Sequence, residues 1–355
     1  MIVLLNMKIP HLFLLVLWAG LIRYSPLKAQ DWHPITEALF ERVHINPDFY
    51  EDPLNRRTGA LAVSPATGNL TLVLNGNHPV YLSKDQGESW KAMDVSTQGR
   101  AYGSFSINQD PETARQAIFM IVQKKQLPAQ GLIIDKKGHE ITQIGKPGSN
   151  HDGWTWGMPA WDNPQVILGK EHHAWVVLWL SKDGGQSWTR LDFESRNPGV
   201  IDSKTFVAGN DDGIYFSENQ GEKWDRVADF KVTGKTPVRY GQNFYWTTEE
   251  GVIISSDQGK SWQLLGEKVP GALWGPYFGR NQSSMMVVNQ EGFQVTTDHG
   301  ENWEKVAAFF APPHSAHDGK YNVMHPTNSY GWDQKRGILY AAGLGGHAYK
   351  MALDR

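Results

Sequence analysis

Ser255-Ser-Asp257-Gln-Gly259-Lys-Ser-Trp262 is the stretch that decides the fold, because the chain writes it five times. The other copies are Ser83-Lys-Asp85-Gln-Gly87-Glu-Ser-Trp90, Ser181-Lys-Asp183-Gly-Gly185-Gln-Ser-Trp188, Ser217-Glu-Asn219-Gln-Gly221-Glu-Lys-Trp224 and Thr296-Thr-Asp298-His-Gly300-Glu-Asn-Trp303. These residue types, in this order, make a hairpin turn. The Asp or Asn oxygen accepts turn N–H bonds, and the Ser or Thr hydroxyl adds a second local bond. Gly supplies the positive φ of a tight reversal. Trp, on the next strand, packs back across the turn and between neighbouring sheets. Burying such a ring, about 150–250 Å² at about 25 cal/mol per Å², is worth on the order of 4–6 kcal/mol gross. The aspartates read as turn staples rather than as acids or metal ligands.

The pattern resembles the Asp-box, or BNR repeat, of sialidases and many other β-propeller proteins. The resemblance runs as a framework through essentially the whole chain after its N-terminal segment, and it is specific for fold rather than activity. The boxes begin at 83, 181, 217, 255 and 296, at intervals of 98, 36, 38 and 41 residues. The interval of 98 holds two units, with a degenerate copy at Ile134-Asp135-Lys-Lys-Gly138. A last unit without a box follows, from Asn328 through Ile338–Gly343 to His347–Met351, and it lacks an outer strand. Trp32–Val43 is expected to supply that strand, so that the termini share one blade and leave no open edge. The expectation is an all-β, seven-bladed propeller, with six blades, as in true sialidases, as the alternative. In the fifth unit Pro237–Tyr240, Phe244–Thr247, Gly251–Ile254 and Trp262–Leu265 run from inner to outer strand.

Composition narrows the classes of function. With no cysteine, a disulfide scaffold, a thiolate nucleophile and a thiolate zinc site are excluded. A net charge of -3 gives no reason to expect nucleic acid. Met7-Lys8, the apolar run Ile9–Ile22 and the small residue at Ala29-Gln30 read as a cleaved secretory signal, with Met7 an alternative start. The run is short of the ~20 residues a membrane span needs. The expected organisation is residues 1–29 as signal and 30–355 as one propeller domain, monomeric, exported to the periplasm or beyond the cell, and without a membrane span after cleavage.

Candidate chemistry lies on the face opposite the boxes, where loops enter each inner strand around the central funnel. Two His-Asp-Gly segments, His151-Asp152-Gly153 and His317-Asp318-Gly319, precede the inner strands of the third and seventh units. Paired carboxylates or imidazoles facing each other across a funnel can share acid and base roles. Asp152 and Asp318 are therefore candidate catalytic carboxylates of a glycoside hydrolase, the leading reading. His151, His317 and Tyr321 are candidate bases of a polysaccharide lyase on uronic-acid glycans, with arginine neutralising the uronate. Arg57, Arg100, Arg239 and Lys320 are candidate partners for an anionic glycan. Trp154, Trp161 and Trp274 with Tyr277 are candidate stacking platforms for sugar rings, Trp154 and Trp274 being assigned to the funnel and Trp156 to packing, and Tyr102 and Tyr240 are further candidate substrate-binding residues. No cofactor or metal is expected, since His172-His173 has no third ligand fixed by local spacing. The Arg-Ile-Pro signature of true sialidases and a Tyr-Glu nucleophile pair are absent. The third reading is a non-catalytic propeller that binds glycan or protein, as in Asp-box photosystem assembly factors.

Overall fold

Short apolar runs separated by Gly- and Asp-bearing turns fold here almost wholly as strands. The computed structural model describes residues 31–43, 58–110, 114–121, 131–135, 141–143, 154–171, 176–312, 328–343 and 345–353. Among these the one helix is the four-residue turn Glu37–Phe40, and no helix is long and apolar enough to cross a membrane. The expected signal segment lies outside the described residues.

The repeat units are four-stranded antiparallel meanders. The fifth runs Val238–Tyr240, Asn243–Thr247, Val252–Ser255 and Gln263–Leu264, within one residue of expectation at every boundary. The last unit, Ser329–Asp333, Ile338–Ala342 and Ala348–Ala352, takes His33–Pro34 as its fourth strand, with His33 opposite Lys350 and Pro34 opposite Tyr349. The N-terminal segment thus covers the edge that the last unit leaves open.

The expected seven separate blades are not how the hydrogen bonding divides. Lys91–Asn108 is a single strand of 18 residues. Its first half pairs with Gly76–Ser83, from Lys91 opposite Leu82 to Gly99 opposite Gly76. Its second half pairs with Arg115–Ile121, starting at Arg100 opposite Ile121. No Pro, Asn or Asp falls between Val95 and Ile107 to end the strand. The first two units are therefore one continuous sheet, and the described strands form six sheets, the alternative count, apart from one parallel pair, Arg239 with Asn108.

Second strands such as Leu70–Leu74 and Met285–Asn289 are buried at every residue, while Thr189–Glu194 on the rim is mostly exposed. A sheet covered on both faces has no solvent side, so its apolar runs are continuous rather than alternating. The core lies between units. Val238, Tyr245 and Ile254 meet Phe278, Met285 and Val287 of the next unit, and Ile35, Leu61 and Leu72 meet Tyr340 across the closure. Gly331 permits one such approach, since a Cβ there would lie 2.2 Å from Val63 Cγ2.

All five box turns share one geometry. In the fifth unit Ser255 Oγ donates to Asp257 Oδ1 at 2.8 Å and accepts from Gly259 N at 2.7 Å, while Asp257 Oδ1 accepts from Ser261 N at 2.9 Å. Asn219 does the same work in the fourth, accepting from Ser217 Oγ and Lys223 N. In the third, the hydrogen bonds from Ser187 and Ser181 hold the Asp183 carboxyl down at about 2. The residue before the box glycine is also left-handed, at φ 63, 73, 59, 62 and 65 for Gln86, Gly184, Gln220, Gln258 and His299. Trp90, Trp224, Trp262 and Trp303 pack toward the preceding unit and Trp188 within the core of the third and fourth units, but only Trp262 is buried and the other four are half-buried. The gross 4–6 kcal/mol therefore overstates those four.

Candidate functional site

An inner strand starts at the loop face and ends at the box face, so a residue's place along it fixes the face it serves. Arg239 and Tyr240 end the inner strand Val238–Tyr240, where Gly241 begins the return. They belong to the box face, not to the loop face expected from sequence. The Arg239 guanidinium lies 4.3 Å over the ring of Trp161, a cation–π contact. Burial lowers its pKa, against the opposing charge of Asp110. Trp161 is 45% exposed, the large apolar side chain left open among the described residues, and its Nε1 donates to Ile201 O at 2.9 Å. Tyr240 packs against Phe278, ring centroids 4.7 Å apart.

Trp274 is not a stacking platform either. It is 8% exposed, stacked on Phe309 at 6.2 Å and edge-on to Tyr330 at 5.0 Å, so its faces are occupied within the core between the sixth and last units. Tyr277 is half-buried, and burial pushes its hydroxyl pKa well above the ordinary value. Trp156 is 2% exposed in the core, as its assignment to packing expected. Arg100 and Tyr102 fall within the long strand Lys91–Asn108, and Trp154 opens the inner strand Trp154–Pro159. His151, Asp152, His317, Asp318, Lys320, Tyr321 and Arg57 lie outside the described residues.

The second half of the long strand runs against inner strands of other units. Ser104 N donates to Ser329 Oγ at 3.1 Å, and Ser104 Oγ donates to Leu61 O. Gln109 N donates to Arg239 O at 3.0 Å. The Gln109 side chain, 3% exposed, donates from Nε2 to Pro276 O at 2.9 Å and accepts from Phe278 N at 2.6 Å. One strand is thus tied to the first, fifth, sixth and last units. Beside it a cavity of about 30 Å³, lined by Ser104, Ser106, Gln109, Lys235 and Thr236 among others, has room for about two waters and none for a pyranose ring.

Other polar residues of the loop face are engaged locally. Asp211 pairs with Arg196 at 3.1 Å and Glu250 with Lys268 at 2.7 Å, both exposed and worth little. His347 is held by Thr36, Nδ1 to Oγ1 at 3.0 Å, and stacks on Phe40, so it serves the ring closure. His78 is 5% exposed, and burial lowers its pKa. Among the described residues no three His, Asp or Glu side chains gather as metal ligands would. Sequence reasoning missed two features here: the segment Ser104–Gln109 bonded to four other units and the exposed Trp161–Arg239 pair.

No family model matches the chain, and no curated protein matches it. Among solved structures it is similar to YCF48 bound to D1 peptide, at 13% identity and a TM-score of 0.47, over 85% of this chain and 94% of that one. It is similar to YCF48 from Cyanidioschyzon merolae at 10% identity and a TM-score of 0.43, over 85% and 97%. The third is Chaetomium thermophilum Raptor, at 10% identity and a TM-score of 0.48, over 84% of this chain and 28% of that chain. Likeness at this level says nothing about activity.

Proposed function

We propose that this chain is a non-catalytic propeller of the Asp-box kind, exported after removal of residues 1–29, whose one domain binds a protein partner. The observation that carries the reading is the reach of one segment across the ring. A propeller enzyme needs a funnel that admits substrate, whereas here, among the described residues, Ser104–Gln109 is hydrogen-bonded to four other units. A protein partner needs an exposed aromatic anchor instead, and Trp161 under Arg239 on the box face has the composition of an interface hot spot. The six sheets count as seven four-stranded blades when the long strand is read as the outer strand of one unit and the inner strand of the next. That reading rests on the two registers meeting between Gly99 and Arg100.

The test is a panel of neutral, sialylated and uronic-acid glycans incubated with the protein. The expected result is no new reducing ends and no absorbance from an unsaturated product. Reducing ends that disappear in Asp152→Asn or Asp318→Asn would return the chain to the glycoside hydrolases. Reducing ends with new absorbance, abolished by His151→Ala or His317→Ala, would make it a lyase.

A further inference from the structure

A larger cavity lies where the N-terminal segment meets the third and fourth strands of the first unit. It holds about 380 Å³, a volume in the range of small-molecule sites. Leu39 and Val43 wall it from the segment, and Tyr81 and Trp90 from the sheet. The sheet ladder breaks beside it: Pro79 to Tyr81 is a step of two residues opposite a step of four, Ser96 to Ala92. Trp90 uses its one donor on Ile35 O at 2.8 Å, so what it offers the cavity is apolar ring surface. Two polar side chains reach the same space. Arg42 is exposed, donates from Nε to Ala38 O at 3.0 Å and has no carboxylate partner among the described residues. It stands near enough to Tyr81 that its charge opposes the rise which burial causes in the tyrosine pKa. His78 is 5% exposed, and neither imidazole nitrogen has a hydrogen-bond partner among the described residues. Gly76, at φ 107, leaves that ring its room, since a Cβ there would lie 3.2 Å from Nε2. Burial lowers the His78 pKa and favours the neutral ring, with one nitrogen a donor and the other an acceptor.

We propose that this cavity binds a small aromatic carboxylate whose ring carries a hydrogen-bonding group. The carboxylate meets the Arg42 guanidinium at the exposed end, where a charge-assisted pair can form. The ring lies against Trp90 and Tyr81, with Leu39 and Val43 over its other face. The polar group on the ring meets His78 at the buried end and satisfies an imidazole that the protein leaves unpaired. An apolar molecule would fill the walls but leave both polar ends unmet. The site is separate from the protein-binding reading and does not rest on it.

The probe is para-hydroxyphenylacetate, titrated into the full protein by calorimetry. Phenylacetate, which lacks the ring hydroxyl, and para-hydroxyphenylethanol, which lacks the carboxylate, are titrated beside it. Saturable binding of the probe is expected, with each analogue about tenfold weaker. Arg42→Met is expected to weaken the probe about tenfold and to leave the alcohol unchanged, and because Arg42 is exposed the variant keeps its fold. His78→Leu is expected to bring the two acids to equal affinity, with thermal unfolding confirming that it is folded. Should that variant unfold, Arg42→Met and the two analogues decide the matter alone. No saturable binding of para-hydroxyphenylacetate, the alcohol binding as tightly as the acid, or binding unchanged in Arg42→Met would each overturn the proposal.

Discussion

A chain that begins at residue 44 is expected to be less stable than one beginning at residue 31 by about 4–10 kcal/mol, a large share of the roughly 5–15 kcal/mol that holds a domain folded. The segment removed is short, but it closes the ring. His33 and Pro34 pair with the last strand, and Ile35 N donates to Ala348 O at 2.8 Å. Ile35 and Leu39 are 7% and 4% exposed, packed with Leu61, Leu72 and Tyr340 between the last and first units. Trp90 of the first box donates from Nε1 to Ile35 O at 2.8 Å, instead of to its own glycine. A Cβ on Gly87 would lie 2.7 Å from Ile35 Cβ, so the box turn and the segment are fitted to each other. Two buried aliphatic side chains at about 2–5 kcal/mol each set the size of the loss. Urea unfolding of the two chains measures it, and equal midpoints would mean that the ring closes without the segment.

Trp262→Ala is expected to cost about 3–5 kcal/mol, more than the same change at any other box. Trp262 is the box tryptophan that is buried, at 7% exposed, and it packs with Trp246, Ile201 and Val207 between the fourth and fifth units. Its Nε1 donates to Gly259 O at 3.1 Å. Trp303, the equivalent in the sixth unit, has a buried Nε1 with no partner among the described residues. The pair gives an internal control. Trp262→Phe loses a made bond and leaves a carbonyl, whereas Trp303→Phe removes an orphaned donor. Thermal unfolding is expected to place Trp262→Phe about 1 kcal/mol or more below Trp303→Phe. The reverse order would remove the Nε1 bond from the account of the box.

What was legible in the sequence was local. The hydroxyl, the Asp or Asn, the Gly and the Trp act within eight residues, so their spacing carried the turn, the strand order and the strand boundaries of the fifth unit. The left-handed residue before the box glycine had a signal that went unused, since Gly184 stands there in one copy and Gln or His in the others. The merging of the first two units was hidden, because neither the box at Ser83–Trp90 nor the degenerate copy at Ile134–Gly138 marks that Lys91–Asn108 runs unbroken. Arg239 and Tyr240 were placed on the wrong face by counting from the start of a strand that is only three residues long. Trp274 carries no local mark that Phe309 and Tyr330 take its faces.

The non-catalytic reading depends on the segment Ser104–Gln109 lying against other units, and amide hydrogen exchange at Ser104, Gln109 and Phe278 tests that most directly. These amides donate to Ser329 Oγ, Arg239 O and Gln109 Oε1, bonds that exist only when Ser104–Gln109 lies against the fifth, sixth and last units. The expected result is protection matching that of buried second-strand amides such as those of Val287 and Tyr245, since exchange then requires the ring to open. Exchange at Ser104 and Gln109 as fast as in an unstructured peptide would show an open centre with room for a substrate, and would contradict the non-catalytic reading.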